Sequence, residues 1–230
     1  MANLPRLLAG AMLLAAAGAA SAGVIVVRSS GPSATQYPIG KSLADNARIS
    51  LKGGDMVVVL DGKGSRTLKG PGTYPAAGGS GGGSATSFSA LLASANGRRG
   101  RVGAVRPAPQ PRQVWQVSAD RSETFCFVAP GTGLRLRRED IQATRTVTIK
   151  DLASGKSAEV EFDAAQQLAD WPTNLPVTDG NRYRMGSVET VMKAVDGGRG
   201  FADLGSAFVR AGCTAQLDAL STTAAYASAE

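Results

Sequence analysis

The chain contains no histidine. That absence removes Ser-His-Asp and Cys-His nucleophiles, a histidine general base near neutrality, and His-ligated zinc, iron or copper. Aromatic residues make up only 5% of the 230 positions, and cysteine occurs twice, at Cys126 and Cys213. Beyond residue 23 no apolar run approaches the roughly 20 residues of a membrane-spanning helix; the stretch Val24 to Val27 is long enough only for a strand. Carboxylate-pair, lysine and cysteine chemistry are what remain for an enzyme. Against these shortages stand 43% apolar and 19% charged residues, a composition that folds as a globular protein. The formal charge is +7, from 25 Lys and Arg against 18 Asp and Glu, and there are 29 glycines.

Residues 1–22 read as a secretory leader. Arg6 supplies the positive start, Leu7 to Ala20 is an apolar run of 14 residues, and Ala20-Ser21-Ala22 is a small-x-small cleavage site. An uncleaved anchor would need a longer and less Ala- and Gly-rich run. The mature chain is expected to begin at Gly23 and to be periplasmic, with no transmembrane segment after cleavage. Export gives the two cysteines a meaning. In an oxidising compartment an isolated pair is expected to form one disulfide, Cys126 to Cys213, with two free buried thiols as the alternative.

From Gly23 to about residue 75 the pattern is short strands and tight turns. Val24 to Arg28, Arg48 to Leu51 and Met56 to Leu60 are the apolar or alternating runs, and Gly53-Gly54 and Asp61-Gly62 mark turns. Asp61-Gly62-Lys63-Gly64 is a hairpin candidate, because glycine reaches positive φ at little cost. Residues 76–112 break the rhythm with a glycine-rich run, then Pro107, Pro109 and Pro111, and read as an interdomain connector. Within it Phe88, Leu91 and Leu92 sit at helical spacing.

From residue 113 to 220 the strand rhythm resumes at a spacing of about ten residues, as a sandwich gives. Candidate strands are Val114 to Val117, Thr124 to Val128, Leu134 to Arg137, Thr144 to Lys150, Ala158 to Phe162 and Arg182 to Met185. The segment Ser187 to Val195 fits helix and strand equally well. Phe201 to Leu220 carries one helical apolar face that includes Cys213, and residues 221–230 read as a tail. The expected fold class is therefore mainly β: a small β-domain, a Gly/Pro/Arg-rich connector, and a β-sandwich-like domain with a C-terminal helix.

No cofactor or metal motif survives inspection. Gly40-Lys41-Ser42 and Gly155-Lys156-Ser157 mimic the end of a phosphate loop, but the glycine needed five residues earlier is Thr35 in one and Lys150 in the other. The pairs Glu139/Asp140 and Glu159/Glu161 are the candidates for acid–base work in a glycan hydrolase, with solvated charge pairing as the simpler explanation. Trp115 and Trp171 fit a sandwich core better than a sugar platform.

The arginines are the one sizeable functional signal. Between residues 98 and 140 nine arginines face four acids, a local net of +5. Clustered positive charge attracts polyanions, so Arg98, Arg99, Arg101, Arg106 and Arg112 are the candidates for binding anionic wall or lipid, with a solvated linker as the equal alternative. Nucleic acid is excluded as a partner by the expected location.

The run Val26-Val27-Arg28 through Gly40, Ile49 to Leu51, the Gly54-Asp55 turn, Val57 to Leu60, the Asp61-Gly62 turn, Leu68 and Gly70-Pro71-Gly72 resembles a FecR-like periplasmic β-domain over residues 24–74. The whole arrangement is also similar to exported alphaproteobacterial proteins. The resemblance implies a non-enzymatic envelope module, in several relatives part of a signal relay to a cytoplasmic sigma factor. The full regulator has a cytoplasmic segment and a membrane span where this chain has a cleavable leader. The expected function is a periplasmic binding or scaffold protein, the sensory partner of an inner-membrane signalling protein. The alternative is a structural protein tethered to the envelope through the arginine-rich connector.

Overall fold

The computed structural model describes residues 23–62, 64–78, 85–95, 112–131 and 133–227. Its first β unit holds β1 (Val24–Ser30), β2 (Ser42–Leu43), β3 (Arg48–Leu51), β4 (Met56–Asp61), β5 (Gly64–Lys69) and β6 (Gly72–Pro75). Four of these form an antiparallel sheet in the order β2-β1-β4-β5, while β3 and β6 pair separately. Asp61 pairs with Gly64 where β4 and β5 meet, so the expected hairpin forms.

The strands β1 and β4 open on continuous apolar runs, Val-Ile-Val-Val and Met-Val-Val-Val-Leu, rather than on alternation. Successive strand side chains point to opposite faces, so such a run requires both faces of the sheet to be covered. On one face Val24, Val26, Val57 and Val59 pack with Tyr37, Ile49, Leu51 and Leu68 in a core private to this unit. On the other, Ile25, Val27, Val58 and Leu60 join a larger core shared with the rest of the chain.

That larger core is completed by two more sheets and three helices. The strands here are β7 (Gln116–Ser118), β8 (Glu123–Val128), β9 (Arg135–Arg137), β10 (Arg145–Asp151), β11 (Ser157–Phe162), β12 (Leu168–Asp170), β13 (Arg182–Met185) and β14 (Val188–Val195); six overlap the sequence-based strands, and β12 was not foreseen. They form a five-stranded sheet, β11-β10-β13-β14-β8, and a three-stranded one, β12-β9-β7. The segment that fitted helix and strand equally is β14, paired in parallel with β8 and antiparallel with β13. Helix α1 (Ala85–Ala95) follows the first unit; α2 (Phe201–Ala211) and α3 (Thr214–Ala227) end the chain.

Three differences from the sequence reading have physical causes. The helix expected over Phe201 to Leu220 is two helices, because Gly212 adopts a left-handed conformation with φ of 79°. The N–H of Cys213 then donates to the Phe208 carbonyl and ends α2. The tail expected at 221–230 is helical to Ala227, with Ser221 and Ala224 buried. Finally, the units expected as separate domains at 23–75 and 113–220 share a core. Helices α2 and α3 contact both the first sheet and β8, and Arg28 of β1 pairs with Asp218 of α3.

The connector also contributes to this core where it is described. The Phe88 ring meets Phe201 edge to face at 5.2 Å, and Leu91 is buried. The Leu91 carbonyl accepts from the indole N–H of Trp115 at 3.0 Å. Trp115 in turn packs edge to face on Phe208 at 6.2 Å. Trp171 donates to the Leu175 carbonyl and packs on Tyr183. Both tryptophans are buried, so neither offers a sugar-stacking face.

Candidate functional site

A cleft of about 480 Å³ opens at the seam between the first β unit and the start of α2. Its charged lining is Asp45, Asp61, Arg199 and Asp203, which makes it acidic in a basic chain. Asp61 ends β4, where its Oδ1 accepts from the Gly64 N–H at 3.0 Å and its Oδ2 from the Gly78 N–H at 3.0 Å. The Arg66 Nε lies 3.7 Å from the same carboxylate. Asp203 sits in the first turn of α2 and accepts from the Arg199 N–H at 3.0 Å, a helix-start contact that favours negative charge. Both carboxylates are occupied by backbone donors. The cleft therefore offers a shaped acidic rim rather than a converging acid and base.

A second depression, about 390 Å³, surrounds Asp151 and Asn181. Asp151 accepts from the Ala153 N–H at 2.9 Å, the Ser154 hydroxyl at 2.7 Å and the Asn181 amide at 3.2 Å. Burial raises its pKa, but the Ser154, Ala153 and Asn181 hydrogen bonds outweigh that and hold the carboxyl below its ordinary value. Burial, and next the Asp151 charge among the raising influences, push the Tyr183 phenol up; its hydroxyl donates to the Pro176 carbonyl at 3.0 Å. This network closes the turns before β11 and β13.

Asp55, at the turn before β4, repeats the arrangement. It is buried, which raises its pKa, while hydrogen bonds from Ser33 and the Lys52 N–H hold the carboxyl below its ordinary value. A carboxyl lowered in the folded state contributes stability above its unfolded value, about 3.9, and loses it as pH falls through the lower folded value. Stability is expected to vary little between pH 5 and 7 through these two groups and to decline below about pH 4. Thermal melts of the wild type, Asp55→Asn and Asp151→Asn between pH 3 and 7 check this; each variant should lose part of the acid slope.

The sequence-derived candidates fall as follows. Cys126 and Cys213 are bonded, with sulfurs 2.06 Å apart. Arg98, Arg99, Arg101 and Arg106 lie outside the described residues. Arg112 is only 22% exposed and is bound within the fold. Its guanidinium makes two bonds to Glu123, at 2.7 and 2.5 Å, donates to the Gln116 carbonyl at 2.8 Å, and lies over the Phe125 ring.

The remaining arginines of that cluster do not form a free basic face. Arg121 pairs with Glu139 and Arg135 with Asp170. Arg137 is half-buried; burial first, and then the Arg112 charge, lower its pKa. Arg138 is buried. Glu139, Asp140, Glu159 and Glu161 are all exposed and line neither cleft. Among the described residues no group of three or more His, Cys, Asp or Glu side chains is placed to hold a metal ion. No helix among them is long and apolar enough to cross a membrane.

Sequence reasoning recognised Asp61 as a turn residue and missed Asp45, Arg199 and Asp203 as its neighbours. Nothing in their spacing brings together residues so far apart in the chain. Buried Gln216 was missed as well. Its amide oxygen accepts from the Cys126 N–H at 2.6 Å, and its amide nitrogen donates at 2.9 Å to the carbonyls of Val114 and Cys126. In comparisons with known proteins no family model matches this chain, and neither a curated protein nor a solved structure matches it.

Proposed function

We propose that this is an exported, non-catalytic binding or scaffold protein of the periplasm, the sensory partner of an inner-membrane signalling system. The observation that carries the reading is the Cys126–Cys213 bridge, buried at the junction of β8, α2 and α3. Disulfides of this structural kind persist in oxidising compartments, which agrees with a leader at 1–22. The FecR-like resemblance of residues 24–74 supports a role in signal relay. The clefts support recognition over catalysis, because their carboxylates are held by backbone and amide donors.

The second reading, a tether to anionic wall or lipid, now rests on Arg98, Arg99, Arg101 and Arg106. Arg112 has its charge paired with Glu123. Crosslinking in living cells, with the protein tagged at its C-terminus and the products identified by mass spectrometry, separates the two. Capture of one inner-membrane receptor or transporter is the expected result. Recovery of only wall or outer-membrane material, lost in high salt, would overturn the signalling reading in favour of the tether.

A further inference from the structure

The acidic cleft has one carboxylate without an internal task. Asp61 and Asp203 accept from backbone N–H groups, whereas no described residue hydrogen-bonds to or ion-pairs with the exposed side chain of Asp45. That side chain lies against Gly23, the residue before β1. A Cβ placed on Gly23 would stand 1.6 Å from Asp45 Oδ1 and 2.4 Å from its Cγ, so the carboxylate rests directly against this residue. Ordinary bond lengths put a residue's N about 2.5 Å from its Cβ position. Adding the two legs places Asp45 Oδ1 within about 4 Å of the Gly23 nitrogen, which is ion-pair distance for an ammonium.

We propose that leader removal frees Gly23 as the chain's N-terminus and that its α-ammonium docks on Asp45, completing an ion pair at the rim of the cleft. The proposal rests on the export reading above. The covalent step is hydrolysis by a leader peptidase. Water adds across the Ala22–Gly23 amide, the acyl carbon leaves with the leader as a carboxylate, and the nitrogen becomes a primary amine that takes up a proton at neutral pH. An uncleaved peptide nitrogen has no charge to offer Asp45, so the pair exists only in the processed chain.

The surroundings favour the charged amine. Among the described residues the cleft carries Asp45, Asp61 and Asp203, with Arg199 in its lining and Arg66 beside Asp61, and opposite charges within a few ångströms favour protonation. The structural effect is to fasten the start of β1, whose Val24 pairs with Leu43 of β2 and with Asp61 of β4. The chemical effect is to reduce the negative charge of the cleft at the moment of export. Cleavage and contact converge on one residue: the small-x-small site ends at Ala22, and the next position lies against the Asp45 carboxylate.

The test uses the full mature protein purified from cells. Its intact mass and N-terminal sequence are determined first. The rate at which an N-hydroxysuccinimide acetate acylates the Gly23 amine at pH 7.5 is then followed by mass spectrometry in wild type and Asp45→Asn. Exposed Lys69 and Lys150 serve as internal references, and retention of the disulfide together with an unchanged melt certifies the variant's fold. A paired amine keeps its proton and reacts slowly, so wild type should be acylated about threefold more slowly than Asp45→Asn. The difference should shrink in 1 M salt, where exposed pairs are screened. Retention of residues 1–22 would overturn both the export reading and the pair. A chain beginning at Gly23 whose amine reacts equally fast in both proteins would overturn the pair and leave the export reading standing.

Discussion

Replacing both bridge cysteines, Cys126→Ala with Cys213→Ala, is expected to lower stability by roughly 4 to 5 kcal/mol. The bridge spans 87 residues, and closing so long a loop restricts the unfolded chain strongly in the chain-entropy model. For a domain stable by only about 5–15 kcal/mol, that is a large fraction of the total. The loss should also be cooperative rather than local. Cys126 lies within β8 and Cys213 at the break between α2 and α3, and Gln216 binds the backbone of Cys126 and Val114 at the same junction. Because α2 and α3 also cover Ile25, Val27, Val58 and Leu60, loosening them uncovers the first sheet. Urea titration followed by tryptophan fluorescence checks this, since Trp115 packs on Phe208 of α2. One transition at lower urea is expected; a shift below about 1 kcal/mol, or two separate transitions with the first unit unaffected, would contradict it.

The second large effect is expected at Arg138. It is 1% exposed and has three carbonyl acceptors, Gln166 at 2.7 Å, Ala143 at 2.6 Å and Asp163 at 2.6 Å. Its guanidinium also lies 5.1 Å over the Phe162 ring. The planar fork of donors joins the chain after β9 to the loops on either side of β10 and β11. Arg138→Met strands three carbonyls without their charged donor, and a cost of about 3–5 kcal/mol is expected. In a thermal melt that is a fall on the order of 10 °C. Arg138→Lys should rescue little, because a single ammonium cannot reproduce the fork. By contrast, Arg121→Ala, at a position 70% exposed, should change stability by less than about 1 kcal/mol.

Arg138 also shows why the basic cluster was the least legible part of the sequence. Charge counting treats nine arginines as one surface, but it cannot register that one is buried against carbonyls and that three others pair with Glu123, Glu139 and Asp170. Strands were far more legible. Arg182–Met185 and the hairpin at Asp61 follow from alternation and turn chemistry alone, and the cysteine pairing follows from there being only two. Two signals were present but underused. The unbroken apolar runs of β1 and β4 imply a sheet buried on both faces, hence a second body against it. Gly212, in the middle of a helical pattern, marks a helix end. The cleft was not legible at all, because Asp203 of α2 meets Asp45 and Asp61 only through the packing of α2 against the first unit.

On the proposed export reading, the mature chain carries an oxidised Cys126–Cys213 bridge that fastens β8 to the break between α2 and α3. The most direct measurement is thiol trapping in intact cells with an alkylating reagent, followed by intact-mass analysis of the protein. The account predicts a single species that lacks residues 1–22 and carries no alkyl groups until it is reduced under denaturing conditions, when it gains two. A chain that retains residues 1–22 with both cysteines alkylated at once would contradict it.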